Sequence, residues 1–241
     1  MENDRPLITV VTVCYNAVAE LEKTIQSVLN QTYENIEYII IDGGSKDGTM
    51  DVIQKYVDRL AYWVSEKDKG IYDAMNKGID RATGSWVNFM NAGDVFCNNG
   101  VIKDIFEYND LSNFSAIYGD CYVSKSDQLQ YLKASNIKKI QTQMPFCHQS
   151  SFIRKTRLRF SIDLKIAADY QMIYEYYRMN GISSFLYISK PISIFDATGI
   201  STTNNNLLRK EYGIVYKRTR NIYYYIYLCK QLLKRILLCQ N

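Results

Sequence analysis

Several acidic residues in this chain stand at the ends of apolar runs. Ser85 to Phe96 reads SWVNFMNAGDVF: Trp86, Val87, Phe89 and Met90 suit a buried strand, which then ends on Asn91-Ala92-Gly93-Asp94. A carboxylate beside a glycine can be approached closely by a ligand and by a metal ion. Mg²⁺ or Mn²⁺ needs few protein ligands there if a diphosphate supplies the others. The competing role for Asp94 is to cap the following segment. Asp42 heads DGGSKDGT, a turn that leads into a helix. Its carboxylate could accept from a base or a ribose hydroxyl, while Ser45 and Asp47 suit helix capping. The turn has the spacing of neither G-x-x-x-x-G-K-[ST] nor G-x-G-x-x-G, which argues against a P-loop NTPase and a dinucleotide-dependent dehydrogenase. His148 is the only histidine, and the six cysteines include no C-x-x-C pair, so a zinc site is not expected.

The elements that must position these residues alternate regularly. Strands are expected at 7–14, 36–42, 61–66 and 85–90, with helices at 19–31, 49–60 and 71–81 between them. Such alternation predicts an α/β fold, a mostly parallel sheet with helices on both faces. Ligands of such sheets bind beyond the carboxyl ends of the strands. Cys14-Tyr15-Asn16, Asp42-Gly43-Gly44-Ser45 and Asn91-Ala92-Gly93-Asp94 should therefore share one edge. After residue 100 the pattern loosens. Strands are expected at 116–122, 128–134, 148–154 and 185–196 and a helix at 167–179, with Asn204-Asn205-Asn206 read as a linker.

The segments ITVVTVCYNAVAELEKTIQSVLNQTYENIEYIIIDGGSKDGT and GIYDAMNKGIDRATGSWVNFMNAGD resemble the family 2 glycosyltransferases of the GT-A (Rossmann-like) fold. The likeness extends through CHQSSFIRK and IAADYQM, and it is greatest to the bacterial O-antigen, colanic-acid and exopolysaccharide branch. It implies a nucleotide-sugar donor, with residues 1–98 as the donor half, 99–206 as the acceptor half and 207–241 as a tail. On that resemblance Thr12, Tyr15, Asn16, Asp42, Asp68, Asp73, Asn76, Asn91, Ala92 and Gly93 are donor-site positions. Asp94 holds Mn²⁺ or Mg²⁺, and His148 and Gln149 face the diphosphate or the acceptor. Two departures stand out. Where the family commonly has a second Asp, often a contact to uracil, this chain has Gly43, and Asn91 replaces the first acid of the metal motif.

Inversion at the anomeric carbon needs one general base at the acceptor hydroxyl. The resemblance assigns that role to Asp169 in KIAADYQM, where the positive end of a helix favours negative charge. Its competing role is helix stabilisation alone. The implied enzyme is a hexosyltransferase using a UDP-sugar and a saccharide acceptor linked to a polyprenyl diphosphate. The processive motif Gln-x-x-Arg-Trp is absent, so single-sugar transfer is expected. The alternative is a catalytically inactive nucleotide-sugar-binding partner in an assembly complex. A pyrophosphorylase of similar architecture would need a Gly-rich basic loop after the first strand, which Cys14–Val18 is not.

Composition bounds the rest. At 47% hydrophobic and 22% charged, the 241 residues have ample core for one large α/β domain. No signal peptide is read at the start, and no run reaches the roughly 18–20 apolar residues of a spanning helix. The scattered cysteines suggest a cytoplasmic protein. Charge is uneven: Leu207–Asn241 carries eight Lys/Arg and one Glu, or +7, while the remainder carries 21 basic and 24 acidic residues, or −3. In NIYYYIYLCKQLLKRILLCQN, Ile222, Tyr225 or Ile226, Cys229, Leu232 or Leu233 and Ile236 form one helical stripe, with Lys230, Lys234 and Arg235 off it. This basic amphipathic tail suits the inner face of the cytoplasmic membrane, with packing on the body or in a homodimer as alternatives. Nucleic-acid binding is not expected, because the neighbouring motifs do not serve it.

Overall fold

A computed structural model describes residues 5–125, 128–155, 157, 159–197 and 204–229. Its centre is one nine-stranded sheet in the order β3-β2-β1-β4-β8-β6-β9-β5, with β7 paired to β6. Strands β1 (Ile8–Cys14), β2 (Ile36–Asp42), β3 (Tyr62–Ser65) and β4 (Trp86–Phe89) are mutually parallel. β1 lies between β2 and β4 and is buried along its whole length, which is why it reads as a β-branched, mostly apolar run with no polar alternation. The remaining strands make the sheet mixed. β8 (Ser151–Arg154) runs antiparallel to β4 and to β6 (Ala116–Lys125), β9 (Phe185–Asp196) runs parallel to β6, and β7 (Gln128–Leu132) and β5 (Val95–Phe96) are antiparallel additions.

The period-2 alternation of the strands builds two cores. Val11, Val13, Ile39, Ile41, Val87 and Phe89 face α3 (Ile71–Arg81) and α5 (Ala168–Asn180). Ile8, Val10, Ile40 and Trp86 face the other layer, with α1 (Leu21–Leu29) and α4 (Val101–Phe106). In α1 the buried Leu21, Ile25 and Val28 recur at helical spacing. In α3, Gly78 lies so close to β1 that an added Cβ would sit well inside van der Waals contact distance of Val11 Cγ1.

The parallel strands and the 185–196 strand lie where the pattern predicts, whereas three local expectations are corrected. The helix starting at Thr49, α2, ends at Gln54, and a separate 3₁₀ turn follows at Val57–Arg59. The 148–154 strand begins only at Ser151, because His148–Ser150 form a 3₁₀ turn. There the side chain of buried Asn88 replaces the ladder, its amide donating to the carbonyls of Gln149 (2.9 Å) and Ser151 (2.8 Å). Finally, the Asn204–Asn206 stretch is no linker. Asn204 caps α6 (Asn205–Arg218) by accepting from the Leu207 N–H, a role asparagine fills well. A short helix at 223–229 follows, and the rest of the tail lies outside the described residues.

Gly78→Ala tests the contact that seats α3. The substitution gains about 1 kcal/mol of helix propensity, but overpacking against fully buried Val11 costs about 1–3 kcal/mol. A net loss of up to about 2 kcal/mol is expected in urea unfolding.

Candidate active site

The carboxyl ends of β1 and β4 open onto a cleft of about 1160 Å³. Asn16, Ala17, Asp73, Asn91, Ala92, Asp94, His148, Gln149 and Asp169 line it. The Asn91–Asp94 turn is closed by the Asp94 N–H bonding to the Asn91 carbonyl (2.9 Å) and requires a left-handed residue, supplied by Gly93 at φ 102°. Thr24 of α1 clamps it, accepting from the Gly93 N–H (3.0 Å) and donating to the Asp94 carbonyl (2.8 Å).

Asp94 is 4% exposed. One carboxylate oxygen accepts from Gln149 Nε2 (2.7 Å), and the other accepts from the backbone N–H of Asp196 (3.0 Å). The Cys147 thiol donates to Gln149 Oε1, which leaves Nε2 for Asp94. Burial nonetheless pushes the Asp94 carboxyl up to about 6, against the opposing pull of these bonds and of His148. A carboxylate held at such a cost is one that a cation would stabilise.

A chain of contacts crosses the cleft. Asn91 Nδ2 lies 3.3 Å from His148 Nε2, and His148 Nδ1 lies 3.3 Å from Asp169 Oδ2. Both contacts are satisfied by the Nδ1–H tautomer, with the Asn91 amide donating to Nε2. That orientation leaves Asn91 Oδ1 buried without a partner among the described residues. Among those residues no group of three or more His, Cys, Asp or Glu is disposed to hold a metal. The donors present, one carboxylate and one orphaned amide oxygen, fit a divalent cation that takes its other ligands from a diphosphate.

Asp169 lies in the first turn of α5. The backbone donors just before that turn are taken by Glu211, whose buried carboxylate accepts from the N–H groups of Lys165 (2.8 Å), Ile166 and Ala167 (3.0 Å each). Asp169 itself accepts from the Tyr170 N–H (2.8 Å) and the Tyr72 hydroxyl (3.4 Å). Its second oxygen is on the His148 side, within the cleft.

The other sequence-predicted positions are engaged in hydrogen bonds that hold the fold around the cleft. Asp42 is fully buried and accepts from the Ser45 and Ser65 hydroxyls and from the N–H groups of Gly44 and Ser45. Burial raises its carboxyl, but these bonds outweigh it and hold the group below the usual carboxylate range. Thr12 is buried against Tyr38 and the Met90 carbonyl. Asn76 exchanges two 2.9 Å bonds with the backbone of Phe160, and Asp73 accepts from the Lys69 N–H. These bonds tie loops and turns together. Asn16, at φ 46°, accepts from the Lys46 N–H, while its own N–H donates to Ser45 Oγ, joining the first two strand ends.

Near Gly43, a carboxylate stands where the sequence lacks one. A Cβ at Gly43 would meet Asp68 Oδ2 at 2.5 Å, with the ring of exposed Tyr15 at 3.2 Å. Asp68 therefore projects from the β3–α3 loop into the space a residue 43 side chain would use. Asp196 and Glu211 were not foreseen as parts of the site. Asp196 ends a strand just as Asp94 follows one, a signal open to reading; Glu211 lies in a helix with no local mark.

Because the Asp94 carboxyl is raised in the fold, its charge destabilises the protein above about pH 6 and the penalty fades towards 3.8. Relative to Asp94→Asn, the wild type should lose up to about 3 kcal/mol of stability as pH rises from 4 to 7. Denaturant unfolding of both proteins across that range checks this.

The comparisons with known proteins agree with the geometry. A model described as Glycosyl transferase family 2 matches residues 9–177. A PGL/p-HBAD biosynthesis glycosyltransferase of Mycobacterium bovis is 27% identical over 154 residues, which cover 62% of this chain and only 60% of the relative. An uncharacterized glycosyltransferase of Haemophilus influenzae is 28% identical over 244 residues, covering 92% and 94% of the two chains. S. aureus TarS, solved with UDP-GlcNAc, superposes with a TM-score of 0.70 at 16% identity, over 86% of this chain and 64% of that one. The mannosyltransferase PcManGT from Pyrobaculum calidifontis, solved with GDP-Man and Mn²⁺, gives 0.64 at 15% identity, over 89% and 64%. These structural likenesses establish the α/β GT-A fold. With the family model covering residues 9–177 of 241, the chain belongs to glycosyl transferase family 2.

Proposed function

We propose that this protein is an inverting, non-processive hexosyltransferase. It moves one sugar from a UDP-sugar to a saccharide acceptor linked to a polyprenyl diphosphate, in cell-surface polysaccharide synthesis of the O-antigen or colanic-acid kind. Residues 1–98 form its donor half and 99–206 its acceptor half, and it works at the inner face of the cytoplasmic membrane. The observation that carries this reading is that Asp94 and Asp169 line one cleft, joined across it through Asn91 and His148.

Asp94 and Asn91 Oδ1 would hold Mn²⁺ or Mg²⁺, which when bound would neutralise the diphosphate leaving group. Asp169 accepts the proton of the acceptor hydroxyl as its oxygen bonds to C1 and the bond from C1 to the diphosphate oxygen breaks. His148 holds the Asp169 carboxylate towards the acceptor, and Gln149 steadies Asp94. On the donor side, Asp68 stands in for the acid absent at residue 43, accepting from a ring N–H of uracil beside Tyr15. Thr12, Asp42 and Asn76 contribute by shaping the walls.

The alternative, a binding partner without catalysis, takes its support from Asn91 in place of an acid. One pair of assays separates the two readings. Calorimetry should show Mn²⁺-dependent UDP binding that Asp94→Ala removes. Asp169→Asn should retain that binding but lose about 10³-fold in turnover of a UDP-sugar with an acceptor. Binding with no turnover by the wild type across UDP-sugars and lipid-linked acceptors favours the partner reading, and no nucleotide binding at all removes both. Gly43→Ala, which pushes on Asp68, should weaken UDP about tenfold by calorimetry while changing stability by less than about 1 kcal/mol.

A further inference from the structure

The 223–229 helix has two faces of opposite character. Tyr223, Tyr224 and Tyr227 are half-buried and pack against the core on the α3 and α5 side of the sheet. Gly213 of α6 makes room for this, since a Cβ there would collide with the Tyr227 ring. The opposite face, at the spacing i, i+3, i+4 and i+7, carries Ile222 (72% exposed), Tyr225 (68%), Ile226 (45%) and exposed Cys229. The helix is therefore already seated by its tyrosines, and the apolar stripe remains outside.

The exposed charges of α6 and of the turn after it are of one sign. Arg209, Lys210, Lys217 and Arg220 are exposed, whereas Glu211, the segment's one acid, is buried and bonded inward. The same platform is fastened to the acceptor side of the cleft. Glu211 holds the backbone before Asp169, the Tyr212 hydroxyl accepts from the Met144 N–H (3.3 Å), and Arg218 pairs with Asp163. Met144, Asp163 and Lys165 all line the cleft.

We propose that the Ile222–Tyr225–Ile226 face and the exposed basic residues of α6 form a docking surface for an anionic lipid bilayer. Apolar side chains enter the interface while Lys and Arg meet the lipid phosphates. Because the surface is bolted to the acceptor wall, docking brings the cleft to a lipid-linked acceptor. That purpose rests on the proposed function, but the contact itself does not. The opposed charge of the headgroups is what selects a membrane over a second copy of this chain, since two copies would bring like charges together.

Co-sedimentation of the full-length protein with phosphatidylglycerol-containing vesicles and with phosphatidylcholine vesicles tests this. The wild type should bind the anionic vesicles at least about tenfold more tightly, and raising salt to about 0.5 M should weaken that binding. The triple variant Ile222→Ser, Tyr225→Ser, Ile226→Ser should lose about tenfold or more in vesicle affinity. Its thermal unfolding and UDP binding should match the wild type, which separates loss of docking from loss of fold or donor site. Failure of the wild type to bind anionic vesicles, or equal binding by the folded triple variant, overturns the proposal. So does a wild-type dimer, seen by light scattering, that the triple variant dissolves while vesicle binding is unchanged.

Discussion

The Asp94 carboxylate joins three stretches of chain that are far apart in sequence. It follows β4, it accepts from Gln149 in the turn before β8, and it accepts from the backbone of Asp196 at the end of β9. Each partner must be present, because a buried carboxylate without hydrogen bonds is far more costly than one with them. The central strands, the 148–150 turn and the end of β9 are thus obliged to meet at one point. The cleft is the space left around that meeting. Even so held, the group stays above its ordinary value, because burial outweighs the hydrogen bonds that favour its charge.

The opposite side is arranged by a different economy of donors. The start of α5 has backbone N–H groups that no helical carbonyl can reach. Glu211 meets the three just ahead of the helix from outside the cleft. Asp169, in the same first turn, gives one oxygen to the Tyr170 N–H and keeps the other on the His148 side. A helix N-terminus with two carboxylates can so give one wholly to the fold and leave an oxygen of the other in the cleft. This also makes α6 part of the site's support, although it touches the cleft only through its partners.

A similar substitution of one element for another occurs beyond the end of β2. Family 2 resemblance leads one to expect an acid at residue 43, and the chain has glycine. The missing side chain leaves room for Asp68, which arrives from the next loop. Asp42 meanwhile is consumed by Ser45, Ser65 and two backbone N–H groups, holding the turn that keeps Gly43 in place. Residue type at an aligned position is therefore a poor guide to which charge stands there.

The central strands, their helices, the shared edge and the positions of Asp94 and Asp169 were legible in the sequence. Each depends on local properties: the period of apolar residues, a β-branched and mostly apolar run of strand length, a glycine where the turn must go left-handed. The 3₁₀ turn at His148, the helix starting at Asn205, the arrival of Asp196 beside Asp94 and the role of Glu211 were not. Those depend on which partner comes across the sheet. Asn88 replaces a ladder rung, Glu211 reaches backbone donors 44 to 46 positions away, and Asp196 meets Asp94 across 102. Short-range pattern specifies a strand and where it ends. Which groups neutralise, hydrogen-bond or crowd that end is decided only when distant segments pack against it.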